Sequence, residues 1–399
     1  MAHRARPAIP RAVWALGVVS LCMDLSSELI HAILPLYLAV GFGTSAFTIG
    51  IIEGVAEALA LVVRMFSGAL SDRFRRRKPL VVIGYGLAAL SKIVFPFAPG
   101  VSWIVGARFA DRIGKGIRGA PRDALIADIA PAEVRGASFG LRQSLDTVGA
   151  LLGPLAAIAA LAYFHDAFRP ALAVAVVPAF VAVALLVVTV HEPRATGTSM
   201  EPRPKVELRR IATLGRAFMV VVTISAVLTL ARFSEAFLVL RAHDVGADVA
   251  NAPWVMVAMS CVYALVAYPT GRAVDRGHTW GLLNAGFLAL IVADVVLARA
   301  SSPWAVYAGG ALWGLHMGLT QGLLAALVAA HAPADLRGTA FGFLNLVSGI
   351  ALLLASVLAG WLWQTRGAPA AFYSGAVLTS LAWAALMVHG RGALRVAPT

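Results

Sequence analysis

Hydrophobic and polar positions alternate in long blocks along the whole chain. Each apolar run is close to the roughly 20 residues that a helix needs to cross a bilayer, and the runs are broken at glycines, prolines and clusters of charge. The breaks predict twelve helical spans near residues 12–38, 46–71, 79–98, 101–123, 135–163, 170–190, 216–241, 250–274, 279–299, 302–330, 337–363 and 370–390. The pattern therefore predicts an all-α membrane protein with twelve transmembrane helices.

Composition supports a chain that lies in lipid. Of its 399 residues, 60% are hydrophobic and 13% are charged, and the mean hydropathy is +0.82. Such a chain is too apolar for a surface that water alone solvates. The net charge of +13 would favour nucleic-acid binding in a soluble protein, but the cations lie in short loops between spans. We therefore expect membrane lipid as a partner and no nucleic acid.

The distribution of lysine and arginine predicts the orientation of the chain. With the N-terminus inside, 24 of the 33 cations lie at cytoplasmic ends of spans. The outer ends carry only Arg169, Arg241, Arg299 and Arg366. Because positive charge is retained on the cytoplasmic side, we expect a multi-pass protein of the cell inner (plasma) membrane with both termini in the cytoplasm. The first apolar stretch is too long for a signal-peptide core and is interpreted as a retained helix.

Part of the sequence is repeated. The segment Ala130–Gly140, Ala-Pro-Ala-Glu-Val-Arg-Gly-Ala-Ser-Phe-Gly, recurs as Ala332–Gly342, Ala-Pro-Ala-Asp-Leu-Arg-Gly-Thr-Ala-Phe-Gly, at an offset of 202 residues with seven of eleven positions identical. Both copies precede the fifth span of a set of six. The repeat predicts two pseudo-symmetric six-helix halves, 1–190 and 216–399, joined by a polar cytoplasmic linker over 191–215.

A second repeated pattern, Gly-x-x-x-Asp-Arg, follows spans 2 and 8. Its residues are Gly68, Asp72 and Arg73 in the first half and Gly271, Asp275 and Arg276 in the second. This pattern, with six plus six spans, resembles the major facilitator superfamily of transporters, although Arg75 stands where the usual signature has a glycine. The resemblance implies that these six residues form cytoplasmic gates that rearrange between two states.

The fifth span carries Gly149, Gly153 and Pro154, which look like the core of a motif found in helix 5 of the family's exporters. Small residues allow close helix approach, and a proline bends the helix. The sequence has Ala156 and Ala157 where the family motif ends in glycines. The alternative is an ordinary packing seam of small residues. Segments of spans 1 and 4 also place the resemblance near the multidrug-exporter branch.

Acidic residues inside the first span are candidates for proton coupling. Asp24, Glu28 and His31 lie on one helical face because they are four and three residues apart. An ionised side chain at mid-membrane costs about 2.5–3.5 kcal/mol, so such residues favour a functional role. We predict that Asp24 and Glu28 carry protons and that Asp24 and His31 also line a substrate cavity. The alternative is a static salt bridge to Lys92 or Arg108.

Further proton-coupling candidates lie in spans 2 and 4. Glu57 lies near mid-depth of span 2, whereas Glu53 lies nearer the outer surface, where water is expected to solvate it. In span 4, Arg108 and Arg112 resemble the buried arginine followed by glycines in helix 4 of the family's exporters. These residues complete the predicted proton-coupling set.

Polar residues in other spans are predicted to share the substrate cavity. Arg142 and Asp146, four residues apart in span 5, are expected to pair within the helix. The second half carries fewer charges, scattered among aromatic and small residues. The full set of further cavity candidates is Arg142, Asp146, Arg232, Glu235, His316 and Gln321.

These patterns predict a secondary transporter, namely a proton-coupled exporter of a small organic or drug-like compound that works by alternating access. We expect a monomer that is not an enzyme and needs no cofactor, and the chain has no phosphate-binding Gly-x-x-x-x-Gly-Lys-Ser/Thr loop. An alternative is efflux of a divalent metal or metal complex through Asp24, Glu28 and His31, although no resident metal site is predicted. More distant alternatives are an intramembrane hydrolase that uses Glu53 and Glu57, and a receptor without transport activity.

Overall fold

The structure is a computed structural model that describes residues 8–74, 77–191, 214–332 and 336–389. Within these ranges it is helical, with short 3-10 and π-helical turns. The helices are α1 (Arg11–Leu36), α2 (Ala46–Phe74), α3 (Lys78–Phe97), α4 (Val101–Ile129), α5 (Arg135–Tyr163), α6 (Phe168–Val174), α7 (Val176–Thr189), α8 (Gly215–Ala231), α9 (Ala236–Asp244), α10 (Trp254–Asp275), α11 (Thr279–Arg299), α12 (Pro303–His331), α13 (Arg337–Arg366) and α14 (Ala368–His389).

These helices form the twelve predicted spans, because α6 with α7 and α8 with α9 each make one span. Eleven helical stretches of the described chain are long and apolar enough to cross a membrane. The exception is α4, whose 29 residues carry a dense set of charges that lowers its hydropathy. The all-α prediction with two six-helix halves is thus confirmed, and α4 is the span whose charges must be satisfied inside the protein.

Some spans differ from those predicted in their bounds or their continuity. The first span continues through a π-helical turn over Tyr37–Gly41, and α4 continues to Ile129. The seventh span is interrupted, because α8 ends at Ala231 and α9 begins at Ala236. No glycine or proline marks this break, so the sequence pattern alone did not indicate it.

The repeated segments adopt the same local structure. Ala130 ends α4 in an extended conformation, and its N–H donates to the carbonyl oxygen of Ile126 at 2.9 Å. Ala332 ends α12 in the same way, and its N–H donates to Val328 at 3.1 Å. Both helices have 29 residues. The sequence repeat therefore corresponds to a structural repeat at these helix ends.

The chain divides into two compact units. The first contains residues 1–31 and 62–203, and the second contains residues 32–61 and 204–399. The second unit thus includes the C-terminal end of α1 and the N-terminal part of α2. The predicted linker falls mainly on residues 192–213, which lie outside the described ranges, so the division at 191–215 stays a prediction.

Small residues join α2 to α13 within the second unit. A Cβ added at Gly50 would lie 3.2 Å from the carbonyl carbon of Ser356. A Cβ added at Gly54 would lie 3.1 Å from the Cβ of the same serine. At Gly360 an added Cβ would lie 2.7 Å from the carbonyl oxygen of Ala46. The two helices therefore approach each other at backbone distance. The Gly-x-x-x-Gly spacing in α2 is the sequence signal for this seam.

Candidate functional site

Glycines bring α3 and α4 together in the first unit. A Cβ at Gly84 would lie 2.7 Å from the backbone nitrogen of Arg118, and a Cβ at Gly114 would lie 2.6 Å from the carbonyl oxygen of Gly84. This close approach fixes the register between the two helices. The charged side chains of α4 are consequently buried against α3 and α1 rather than exposed to lipid.

A buried ion pair lies at the end of this contact that is nearer the turn between α3 and α4. The Nζ of Lys92 donates to the Oδ1 of Asp111 at 2.6 Å and to the Oγ of Ser27 at 3.1 Å. On the other carboxylate oxygen of Asp111, the guanidinium groups of Arg112 and Arg108 lie at 3.5 Å and 3.9 Å. None of the four charged side chains is more than 2% exposed. Three buried cations therefore surround one carboxylate, and positive charge is in excess among these four side chains.

A second cluster lies nearer the C-terminal end of α4. Arg122 donates to the Oγ of Ser20 at 2.9 Å, and its NH2 lies 3.7 Å from the Oδ2 of Asp146. Arg142 donates to the same oxygen of Asp146 at 2.7 Å. The predicted pair within α5 is present, and it shares Asp146 with an arginine of α4. Both arginines also contact Asp123.

The acids of α1 face these clusters. Asp24 is half-buried, and the charged groups that act on it are Asp146, Lys115, Arg118 and Arg122. The alternative partners considered from the sequence, Lys92 and Arg108, instead surround Asp111. Asp24 is thus acted on by three cations of α4, of which Arg122 also lies near Asp146.

Glu28 and His31 pair within α1. The Nδ1 of His31 lies 3.4 Å from the Oε2 of Glu28, and both side chains are largely buried. The part of the chain that the structure describes holds no cluster of three His, Cys, Asp or Glu side chains arranged to bind a metal ion. The pairing shows that His31 and Glu28 belong to one polar group one turn beyond Asp24.

The glycines of α5 pack directly on these acidic residues. A Cβ at Gly149 would lie 2.7 Å from the carbonyl oxygen of Leu21 and 3.1 Å from the Cβ of Asp24. A Cβ at Gly153 would lie 2.5 Å from the Cβ of Glu28, and the neighbouring Pro154 is buried. The packing motif of α5 therefore positions the part of α1 that carries both proton-coupling candidates.

The acids of α2 belong to the second unit. Glu57 is half-buried, whereas Glu53 is fully buried. The expectation that water solvates Glu53 is wrong, because this residue lies on the α2 face that packs inside the protein. Hydropathy gives the depth of a residue along a span but not the direction in which a side chain points.

Three of the predicted cavity residues of the second half share one electrostatic environment. Arg232 ends α8, Glu235 precedes α9, and the charge of Arg232 acts on Glu235, Tyr263 and His316. The Nδ1 of His316 lies 2.9 Å from the carbonyl oxygen of Gly286. The broken span thus brings Arg232 and Glu235 close to α12.

Two residues complete the description of the second half. Gln321 lies half-buried on α12, five residues beyond His316. Asp294 of α11 is fully buried and was not among the predicted site residues. The sequence could have indicated this residue, because Asp294 is the single acid in a mainly apolar helix.

The gate residues are only partly described. Gly68 lies near α4, where an added Cβ would be 3.3 Å from the Cβ of Ala120, while Gly271 and Arg276 are exposed at the end of α10. The side chains of Asp72, Arg73 and Asp275 lie outside the described part of the structure. Their gating role stays a prediction.

Comparisons with known proteins agree with this architecture. The chain matches the Major Facilitator Superfamily over residues 16–240 and 235–393. An uncharacterised MFS-type transporter of Methanocaldococcus jannaschii is 30% identical over 360 residues, which cover 88% of each chain. The multidrug resistance protein MdtH of Salmonella typhi is 24% identical over 325 residues, covering 81% of this chain and 79% of that protein.

The fold is also found in a solved structure. The crystal structure of the nucleoside transporter NupG superimposes with a TM-score of 0.80 at 13% identity, covering 95% of this chain and 100% of that one. At this identity the likeness shows the fold alone. Because the family match and the archaeal relative extend over nearly all twelve spans and both repeats, this chain belongs to the major facilitator superfamily of transporters.

Proposed function

We propose that this chain is a proton-coupled antiporter that exports a small organic or drug-like compound across the cell inner membrane by alternating access. In this proposal both termini lie in the cytoplasm. Protons enter through the acids of the first unit, and the substrate contacts residues of both halves. The cytoplasmic ends of α2 and α10 act as the gates.

The observation that carries the proposal is the position of Asp24. The carboxylate of Asp111 is already paired with Lys92, whereas Asp24 is half-buried and is acted on by Arg122, which also lies near Asp146. When Asp24 is ionised, it competes with Asp146 for Arg122. When Asp24 binds a proton, Arg122 is left to Asp146 and Ser20. Proton binding can therefore change contacts among α1, α4 and α5.

Two further observations support export rather than uptake. Gly149 and Gly153 hold α5 against α1 at the acidic residues, at the place where the family's exporters carry their helix-5 motif. The relative MdtH is a multidrug resistance protein. A substrate larger than an ion also fits the polar groups of the second half, since Arg232, Glu235, His316 and Gln321 offer both charge and hydrogen bonds.

The test uses the purified chain in vesicles loaded with a fluorescent organic compound. We expect an imposed pH gradient to drive substrate flux in the natural protein. Asp24→Asn should abolish this flux but retain exchange at equal pH, because the amide resembles a permanently protonated acid. The matched control is Asp166→Asn, which changes an exposed acid in the turn after α5. Full proton-driven flux in Asp24→Asn would remove Asp24 from the coupling mechanism.

The same vesicles distinguish the alternative substrate class. Flux of a divalent metal that is driven by the pH gradient, without flux of organic compounds, would favour metal efflux. If the flux of organic compounds through the natural protein did not depend on the pH gradient, this result would contradict proton coupling. Each result is read against protein-free vesicles, which report the passive leak.

A further inference from the structure

Asp294 is a buried acid in the second unit that the proposed coupling mechanism does not use. It lies on α11, its side chain is fully buried, and neither of its carboxylate oxygens has a hydrogen-bond partner among the described residues. Buried polar groups in proteins are nearly always paired. An acid in this position therefore calls for a ligand or a proton.

The surroundings of Asp294 define a small site. A Cβ added at Gly375 of α14 would lie 2.6 Å from the Oδ2 of Asp294 and 3.0 Å from the carbonyl oxygen of Ala231. Both oxygens therefore lie against the backbone of Gly375, and a side chain at this position would collide with them. Ala231 is the last residue of α8, where carbonyl groups lack partners within the helix.

The charges near this site favour a proton over any other cation. Among the described residues no ion pair reaches the carboxylate of Asp294, and burial is the main influence on this group. The charged and titratable groups of the neighbouring elements include Arg232 and Glu235 at the break after α8 and His316 of α12, which bonds to Gly286 two turns away along α11. They also include Arg241 of α9, which donates to the carbonyl oxygen of Leu297 one turn from Asp294. Tyr373 of α14 is exposed on another face. One carboxylate and one carbonyl are also too few ligands for a metal ion.

We propose that Asp294 is a proton-binding site of the second half, separate from the acids of α1. The neutral carboxyl group donates its hydrogen bond to the carbonyl oxygen of Ala231 at the break between α8 and α9. Loss of the proton leaves a carboxylate facing that carbonyl oxygen and the negative end of α8, which repel it. The proposal rests on the second unit alone and does not depend on export or on Asp24.

The site has a direct route to the substrate residues. Arg232 follows Ala231 in the chain, and Glu235 precedes α9. A change in the contact between Asp294 and Ala231 alters the angle of the broken span at this point. Protonation of Asp294 therefore adjusts the position of two residues that are proposed to contact the substrate.

The experiment measures the proton directly. Infrared difference spectra of the full-length purified protein, recorded between acidic and alkaline pH in ordinary and heavy water, report carbonyl stretching of protonated carboxyl groups. We expect one such band to be lost in Asp294→Asn and retained in Asp248→Asn, an exposed acid of the same half. Spectra of natural protein and Asp294→Asn that coincide in this region would overturn the proposal.

A second variant tests the hydrogen bond without changing an acid. Gly375→Ala places a methyl group between the carboxyl group and the Ala231 carbonyl. We expect the Asp294 band to remain but to shift to higher frequency, because the hydrogen bond is broken. As a matched control, Gly322→Ala on α12 adds a methyl where nothing lies within 4 Å and should leave the band in place. An unshifted band in Gly375→Ala would contradict the assignment of Ala231 as the acceptor.

Discussion

At the scale of single residues, Asp111 is the centre of charge balance in the first unit. It contacts Lys92, Arg112 and Arg108, all deeply buried. Removing one partner of a buried ion pair costs about 3–5 kcal/mol, mainly because an uncompensated charge remains. The cost therefore depends on which partner is removed, since Asp111 has three cations and Lys92 has one carboxylate.

We predict that Asp111→Asn lowers the midpoint of thermal unfolding much more than Lys92→Met. The first change leaves three buried cations together, whereas the second leaves Asp111 with two guanidinium groups. The measurement is the unfolding midpoint of purified protein in detergent. The double variant should be more stable than Asp111→Asn alone, because it contains one buried cation fewer. An equal loss in both single variants would contradict this account.

Some of these contacts could be predicted from sequence and others could not. The pair of Arg142 and Asp146 follows from a spacing of four residues on one helix. The pair of Lys92 and Asp111 depends on the register of α3 against α4, which is set by backbone contact at glycines. Helical periodicity gives the face of a residue but not the partner across a helix interface, so the competing partners of Asp24 could not be separated.

At the scale of elements, the contact of α5 with α1 depends on the absence of side chains. We predict that Gly153→Ala impairs transport, because its Cβ would lie 2.5 Å from the Cβ of Glu28 and 2.9 Å from the backbone nitrogen of Leu29. The helices must then move apart. The control is Gly140→Ala in the same helix, where nothing lies within 4 Å of the added atom.

The measurement for the α5 variants is transport per folded molecule in vesicles. Gly140→Ala should keep transport, and its helix should be stabilised by up to about 1 kcal/mol because alanine favours a helix over glycine. Equal transport in both variants would show that the α5 glycines form a seam without functional consequence.

The break between α8 and α9 is held from outside its own span. The N–H of Ser234 donates to the Oγ of Ser356 on α13 at 3.1 Å, and both residues are buried. No proline or glycine produces this break, which explains why an uninterrupted span was predicted over 216–241. Continuous hydrophobicity predicts that a segment crosses the membrane, but tertiary hydrogen bonds decide where the helix is interrupted.

We predict that Ser356→Ala destabilises the protein by about 1–3 kcal/mol, because it leaves a buried N–H without its acceptor. The control is Ser225→Ala, which removes a buried hydroxyl that bonds only to Val221 of its own helix at 2.9 Å. Denaturation of the two variants gives the comparison. Equal stability would mean that the hydroxyl of Ser356 is not needed at the break.

At the scale of the whole molecule, the repeat was the most informative part of the sequence. Ala130 and Ala332 end equivalent helices with equivalent hydrogen bonds. The repeat in the sequence therefore corresponds to a repeat in the structure. Twelve spans could be predicted from the sequence even though α4 is polar. The apolar spans before and after α4 in the chain mark the segment between them as a further span. The residues that make up the first unit could not be predicted, because the C-terminal end of α1 and the N-terminal part of α2 belong to the second unit.

The orientation of the chain leads to the last prediction, which uses the two ends of the helices. Ala167 lies exposed between α5 and α6, and His278 lies exposed between α10 and α11. The cation distribution predicts that Ala167 lies outside and that His278 lies in the cytoplasm, near Arg272 and Arg276. Both natural cysteines are half-buried within helices, so they can be replaced before single new cysteines are introduced.

We expect a membrane-impermeant maleimide to label Ala167→Cys in intact cells and to label His278→Cys only after the membrane is permeabilised. Both positions are exposed, so permeabilised cells should show equal labelling and thereby control for reactivity. The result follows from charge alone, since moving the many cytoplasmic cations to the outer side would oppose the membrane potential. Labelling of His278→Cys in intact cells, with protection of Ala167→Cys, would invert the topology and reverse the sides assigned to the gates.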